Sequence, residues 1–92
     1  MQGNILVIED VKELADLVTL YLTREGFDVR AAESAEDGFT VLEKWKPELV
    51  ILDINLPGMD GLEFLQRFRR SNDTPVLIIS ARNSDEDQIS GL

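Results

Sequence analysis

Three stretches of this chain end a run of aliphatic residues on a side chain that can do chemistry. Leu49-Val50-Ile51-Leu52 leads into Asp53, Ile5-Leu6-Val7-Ile8 into Glu9 and Asp10, and Val76-Leu77-Ile78-Ile79 into the hydroxyl of Ser80. Continuous apolar runs bounded by turn signals suit strands buried on both faces, as in a parallel sheet. Taken singly, Asp53 reads as the first residue of a loop, Glu9 as a solvated side chain and Asp10 as a helix cap. Taken together they converge, because adjacent strands lie about 4.8 Å apart and parallel strands end on the same side. That carboxyl edge is where open α/β sheets bind their ligands.

Three converging carboxylates carry an electrostatic cost. Two unit charges about 4 Å apart at an effective dielectric of 20 repel by about 4 kcal/mol. Three ionised, uncompensated pairs would cost roughly 10 kcal/mol, as much as the net stability of a small domain. A raised pKa or a divalent cation relieves this. The chain has no histidine and no cysteine, so its cation must be hard and oxygen-preferring, and magnesium suits a few carboxylates with water and a phosphoryl group. An aspartate held beside such a cation is a chemically sensible nucleophile for phosphoryl transfer.

The elements that must position these groups follow in order. Asn4 to Ile8 forms the first strand. Asp10 is the expected N-cap of the first helix, with Glu13 completing a capping box. Leu14, Leu17, Val18, Tyr21 and Leu22 supply its apolar stripe, and Gly26 ends it. Phe27 to Ala31 alternates apolar and polar, which predicts a half-exposed edge strand. Ser34 with Asp37 caps a second helix carrying Ala35, Phe39 and Leu42, with Trp45 near its end and Pro47 barring continuation. The central strand, Glu48 to Leu52, and the turn-prone Leu56-Pro57-Gly58-Met59-Asp60-Gly61 come next. Gly61, Phe64, Leu65 and Phe68 mark a third helix closing on Arg67, Arg69 and Arg70, as the helix dipole favours. Asn72-Asp73-Thr74-Pro75 turns the chain into the fourth strand, Val76 to Ile79, and Ser84 with Asp85, Glu86 and Asp87 opens a fourth helix. Strands and helices alternating at this spacing predict a parallel α/β sheet with right-handed crossovers.

Ninety-two residues with 43% hydrophobic content make one small domain. Eighteen acidic against nine basic residues, a net charge of −9, argue against direct nucleic-acid contact by this segment. No apolar run approaches the roughly 20 residues of a membrane span. The absence of cysteine accords with a cytoplasmic setting. Neither glycine-rich nucleotide-binding loop is present. Asp53, Asn55 and Gly58 match part of a calcium loop, but Pro57 occupies a ligand position and Phe64 stands where the bidentate Glu belongs. Asn72-Asp73-Thr74 spells a glycosylation sequon with nothing else to suggest secretion.

With its acidic pair, Ser80 and the pattern Asp53, Leu56, Pro57, Met59, Asp60, Gly61, the chain resembles the receiver domain of two-component response regulators over essentially all of residues 1–92. The segments ILVIED, LVILDINLPGMDG and TPVLIISA carry the resemblance. It implies a flavodoxin-like, doubly wound parallel sheet of order 2-1-3-4, with strand two at an edge. It implies that Asp53 is the phosphoacceptor, that Asp10 and Asp53 bind Mg2+ directly, Glu9 through water and Asn55 through its backbone carbonyl. Ser80 would turn toward the phosphoryl group and couple it to the surface, while Pro57, Gly58 and Met59 shape the loop after the acceptor. A histidine on a partner sensor kinase would donate the phosphoryl group, and the domain would act as a signalling module rather than a turnover enzyme. Asp53-Ile54-Asn55-Leu56 also resembles the nucleophile loop of haloacid-dehalogenase-type phosphatases, which carry a second Asp where this chain has Asn55; a phosphatase-like enzyme is therefore the alternative, and a receiver fragment that no longer accepts phosphate is another.

The receiver pattern further includes a fifth strand ending in Lys-Pro, an aromatic switch residue and a fifth helix, none of which matches this chain. Lys12, Lys44 and Lys46 all precede Ser80 and cannot take that lysine's place. The expectation is a receiver lacking its last strand and helix, with any output domain lost. Its fourth strand would then leave an apolar edge open, an arrangement proteins normally avoid. If roughly 400 Å² of apolar surface is bared, about 10 kcal/mol of burial is forfeited, and self-association through Val76 to Ile79 is expected.

Overall fold

The fold of the computed structural model, which describes residues 3–79, follows the expected alternation. Strand β1 (Asn4–Ile8) leads to helix α1 (Lys12–Arg24), then β2 (Asp28–Ala32), α2 (Ala35–Leu42), β3 (Leu49–Asp53), α3 (Gly61–Arg69) and β4 (Val76–Ile79). All pairings are parallel, and the strand order is β2-β1-β3-β4. This is the doubly wound, flavodoxin-like arrangement, with β2 at one edge. Two strands shift by one residue at both ends: β2 is Asp28–Ala32 rather than Phe27 to Ala31, and β3 is Leu49–Asp53 rather than Glu48 to Leu52. The expected fourth helix and Ser80 lie outside the described residues.

Side chains alternate across the central strands, as the two-residue period of a strand requires. Leu6, Ile8, Val50 and Leu52 face one layer, where Phe64 and Phe68 of α3 and Phe39 and Leu42 of α2 pack. Ile5, Val7 and Ile51 face the other, against Val18 and Leu22 of α1. Phe64 stacks between Phe39 and Phe68, with ring centroids 4.7 and 5.5 Å away. Trp45, just beyond α2, packs on the first of these layers and carries the Arg30 guanidinium 4.8 Å over its ring.

The stripe read along α1 is wider than the face that packs. Leu17 and Tyr21 are exposed, at 48% and 59%, and Ala15 is buried instead. Helix α1 packs chiefly over β1 and β2, which leaves its far side exposed. The helix starts also differ in kind. Ser34 Oγ accepts from the Asp37 amide at 3.0 Å and Asp60 Oδ1 from the Glu63 amide at 2.9 Å, true side-chain caps. The capping box expected of Asp10 and Glu13 does not form: the N-cap of α1 is Val11, with no side-chain cap. Asp10 lies instead in the acidic cluster at the strand ends, and the Glu9 Oε2 beside it accepts the Val11 amide at 2.9 Å.

The basic end of α3 has a second role beside the helix dipole. Arg69 Nη1 donates to the carbonyls of Asn72 and Thr74, at 3.2 and 2.6 Å, and so braces the turn that feeds β4.

Candidate functional site

The register of the sheet builds the site. Ile8 of β1 stands opposite Leu52 of β3, so Glu9 and Asp53 follow in step at the carboxyl ends of neighbouring strands. Backbone bonds extend the sheet at the same edge: the Glu9 amide donates to Ala32 O at 3.0 Å, and the Ile54 amide to Ile79 O at 3.1 Å. These bonds hold the two carboxylates on rigid strand ends.

Glu9, Asp10 and Asp53 each bring one carboxylate oxygen to within 4.8 Å of the others. Glu9 and Asp53 are buried, at 2% and 1% exposure, and Asp10 is half-buried. Two of the three carboxylates are anchored by one oxygen. Asp53 Oδ1 accepts from the Asn55 amide at 3.0 Å, a local turn typical of Asp, and Glu9 Oε2 accepts from Val11. The opposite oxygens, Asp53 Oδ2 and Glu9 Oε1, are buried without a hydrogen-bond partner, as is Asp10 Oδ1. An unpaired buried carboxylate oxygen is costly, and here each of the three clustered carboxylates carries one. Among the described residues the two ion pairs, Lys12 with Asp16 and Arg67 with Glu63, leave the cluster uncompensated.

The electrostatics follow from that arrangement. Burial pushes the Glu9 carboxyl above its ordinary range, the Val11 amide opposes this, and the neighbouring Asp53 and Asp10 charges add to the rise. The donor set is all oxygen, negatively charged and partly desolvated. It fits a hard divalent cation such as Mg2+ and offers nothing to a soft one.

The loop after Asp53 is shaped by two glycines. Gly58 has φ +71°, a left-handed conformation that L side chains rarely adopt. At Gly61, a Cβ would lie 2.6 Å from Ile54 Cα and 2.8 Å from Asp53 O. Only glycine lets α3 start so close to the end of β3, where the Gly61 amide also donates to Ile54 O at 3.2 Å. Leu56 is buried and Met59 packs on the core beneath, while Pro57 is exposed.

Of the residues expected at the site, the structure brings Glu9, Asp10 and Asp53 together, sets Asn55 beside Asp53 through its backbone, and places Pro57, Gly58 and Met59 in the adjoining loop. Lys12 lines a cavity of about 270 Å³ together with Glu9 and Asp10, but its ammonium lies 3.4 Å from Asp16 Oδ2. One contact at the loop escaped the sequence reading. Glu36, in the first turn of α2, accepts the Met59 amide at 3.4 Å. An acidic residue there reads only as favourable to the helix dipole, and nothing local links it to a loop 23 residues on.

Comparison with known proteins places this geometry. A family model of the response regulator receiver domain matches residues 5–92. Over 89 residues the chain is 42% identical to the transcriptional regulatory protein AfsQ1 of Streptomyces coelicolor, covering 97% of this chain and 40% of that protein. It is 40% identical over 92 residues to the regulatory protein VanRc of Enterococcus gallinarum, covering all of this chain and 40% of that one. The chain thus spans less than half the length of either relative. Among solved structures, the receiver domain of the Francisella response regulator 1452 superposes with a TM-score of 0.81 at 28% identity, covering 97% of this chain and 74% of that one. The Vibrio cholerae chemotaxis protein CheY4 shares the fold, with a TM-score of 0.84 at 24% identity, covering 99% of this chain and 78% of that one.

Proposed function

We propose, from the premise that this chain belongs to the response regulator receiver domain family, that it takes a phosphoryl group onto Asp53 from a histidine of a partner sensor kinase and relays the change to an output domain or partner. One observation carries the reading: two buried carboxylates, Glu9 and Asp53, each held by one oxygen and with the other unpaired, share a cluster with the third carboxylate, Asp10. A cluster so arranged serves a cation better than it serves stability.

Glu9, Asp10 and Asp53 would hold Mg2+, with the backbone carbonyl of Asn55 completing the protein's share. Bound there, the ion supplies charge neutralisation for a phosphoryl group in flight. The chain's residues do the rest. The Asn55 amide fixes the Asp53 carboxylate, which supplies the attacking oxygen. Attack on the donor's phosphorus forms the aspartyl O–P bond and breaks the P–N bond, returning the electron pair to the donor imidazole. Ser80 is assigned the switch by its place directly after β4. The module accepts one phosphoryl group per chain and does not turn over as an enzyme, and it works in the cytoplasm, where sensor kinases present their histidines. An output domain in the parent protein accords with the greater length of AfsQ1 and VanRc. Among the described residues no helix is long and apolar enough to cross a membrane.

Self-association through β4 belongs to the same reading. Leu77 and Ile78 are 53% and 43% exposed, and β4 pairs only with β3 among the described residues. Such an edge is a template for a second strand.

Incubation with a small-molecule phosphodonor and Mg2+, followed by intact-mass measurement, tests the assignment. One labile phosphoryl per chain, lost in Asp53→Asn, is expected. Catalytic release of phosphate would favour a phosphatase, and no uptake would leave a binding module that does not accept phosphate.

A further inference from the structure

We propose that Glu36 is a positioning residue for the carboxylate site, clasping the backbone of Gly58 and Met59 so that α2 holds the loop following Asp53. The inference deepens the magnesium and phosphoacceptor reading above and rests on it.

Two observations place this side chain against the loop. Glu36 Oε2 accepts the Met59 amide at 3.4 Å across 23 residues of sequence. The same oxygen lies 3.3 Å from where a Cβ on Gly58 would stand. The carboxylate therefore rests directly over the peptide between these residues. Gly58 answers both constraints at once: its φ of +71° is open to glycine, and its missing side chain leaves room for Glu36.

The clasp joins parts with different means of support. Helix α2 is fixed by its Ser34 cap and by Ala35, fully buried in the core. The loop over residues 54–60 is held at one end by Asp53 and at the other by the Gly61 contact with Ile54. Between these ends Leu56 is buried and the Met59 side chain packs on the core, while the Met59 amide donates to Glu36. Asn55, whose amide fixes Asp53 and whose carbonyl is assigned to the cation, sits in the same loop. Holding the loop closed reduces the ordering that cation binding must otherwise impose. A carboxylate acceptor makes the bond charge-assisted, but the contact is long and exposed, so its effect is modest.

An ordinary structural role makes a different prediction. Glu36 and Asp37 both sit in the first turn of α2, where negative charge favours the helix dipole. If Glu36 acts only through that charge, Asp37→Ala should match Glu36→Ala, and Glu36→Gln should fail to rescue. If it acts as an acceptor for the loop, the glutamine carbonyl substitutes and Asp37→Ala has no effect on the loop.

The experiment combines amide exchange at Met59 in the metal-free protein with a magnesium titration of the same variants. In Glu36→Ala, exchange at Met59 should quicken severalfold and magnesium affinity should fall about threefold, the scale of one modest hydrogen bond. Glu36→Gln and Asp37→Ala should leave both as in the parent. Unchanged Met59 exchange in Glu36→Ala overturns the clasp. Faster exchange with unchanged affinity overturns its positioning role, and a glutamine variant that behaves like alanine overturns the acceptor mechanism. A parent chain that binds no magnesium would instead sink the function proposed above, while exchange at Met59 still decides whether the clasp exists.

Discussion

Strands β3 and β4 are nearly the same in composition and opposite in circumstance. Leu49 to Leu52 of β3 and Val76–Ile79 of β4 are both uninterrupted apolar runs that suit a strand covered on two faces. In the fold, β3 lies between β1 and β4, and Val50 and Leu52 are fully buried. Its neighbour β4 has a partner on one side among the described residues, and Leu77 and Ile78 are about half exposed. A strand's apolarity states what it needs, and its place in the strand order states what it receives. The phosphoacceptor proposed above, Asp53, ends β3, a strand with a neighbour on each side.

The comparison can be broken most directly in the core. Leu52→Ala should cost about 2–5 kcal/mol, the usual range for a buried leucine, whereas Leu77→Ala should stay within about 1 kcal/mol, as exposed substitutions do. Urea denaturation of both variants measures this. Equal losses would mean that β4 is as well covered as β3.

The site at the end of β3 gives the next test. Magnesium at about 100 times its dissociation constant should add about 2.7 kcal/mol of stability, because it binds the folded chain alone. Asp53→Asn and Asp10→Asn should lose most of that gain. Asp28→Asn should keep it, since Asp28 pairs with Asn4 at the other end of the sheet. Calorimetry showing the same affinity in all three variants would remove the metal from the carboxylate cluster.

The open edge sharpens the contrast from the other side. If β4 templates a second copy, Ile78→Lys should weaken self-association about tenfold, roughly 1.4 kcal/mol, as charged residues do on natural edges. Light scattering across a concentration series reads the change. A parent chain that stays monomeric at high concentration would show that the edge is managed by other means.

The smallest expected effect is a pH dependence beside β3. The folded-state pKa of Glu9 lies above its ordinary 4.5. Between these values the folded chain keeps a proton that the unfolded chain releases, so this group's contribution to stability falls as pH rises through that window. In metal-free buffer, Glu9→Gln should therefore gain stability relative to the parent as pH rises above about 4.5. A constant difference between the two would mean that burial beside Asp53 places no strain on Glu9.

Much of this molecule was legible from local pattern. Three aliphatic runs ending in Glu9-Asp10, Asp53 and Ser80 led to a parallel sheet, and a parallel sheet aligns its carboxyl ends, so the convergence of Glu9, Asp10 and Asp53 needed no coordinates. The Ser34 cap and the Phe64 and Phe68 stripe were equally readable, because caps and stripes depend on residues three or four apart. Other features belonged to the tertiary structure alone. Asp10 had the type and position of an N-cap, yet the helix starts with Val11 as its N-cap and the end of β1 sets Asp10 beside Glu9 and Asp53. Leu17 and Tyr21 had helical spacing but lie exposed. Glu36 met Met59 only because α2 and the loop after β3 lie on the same side of the sheet. Periodicity reports what a residue's own segment can offer; which offer is taken up depends on contacts between segments distant in sequence, and those exist only once the chain has folded.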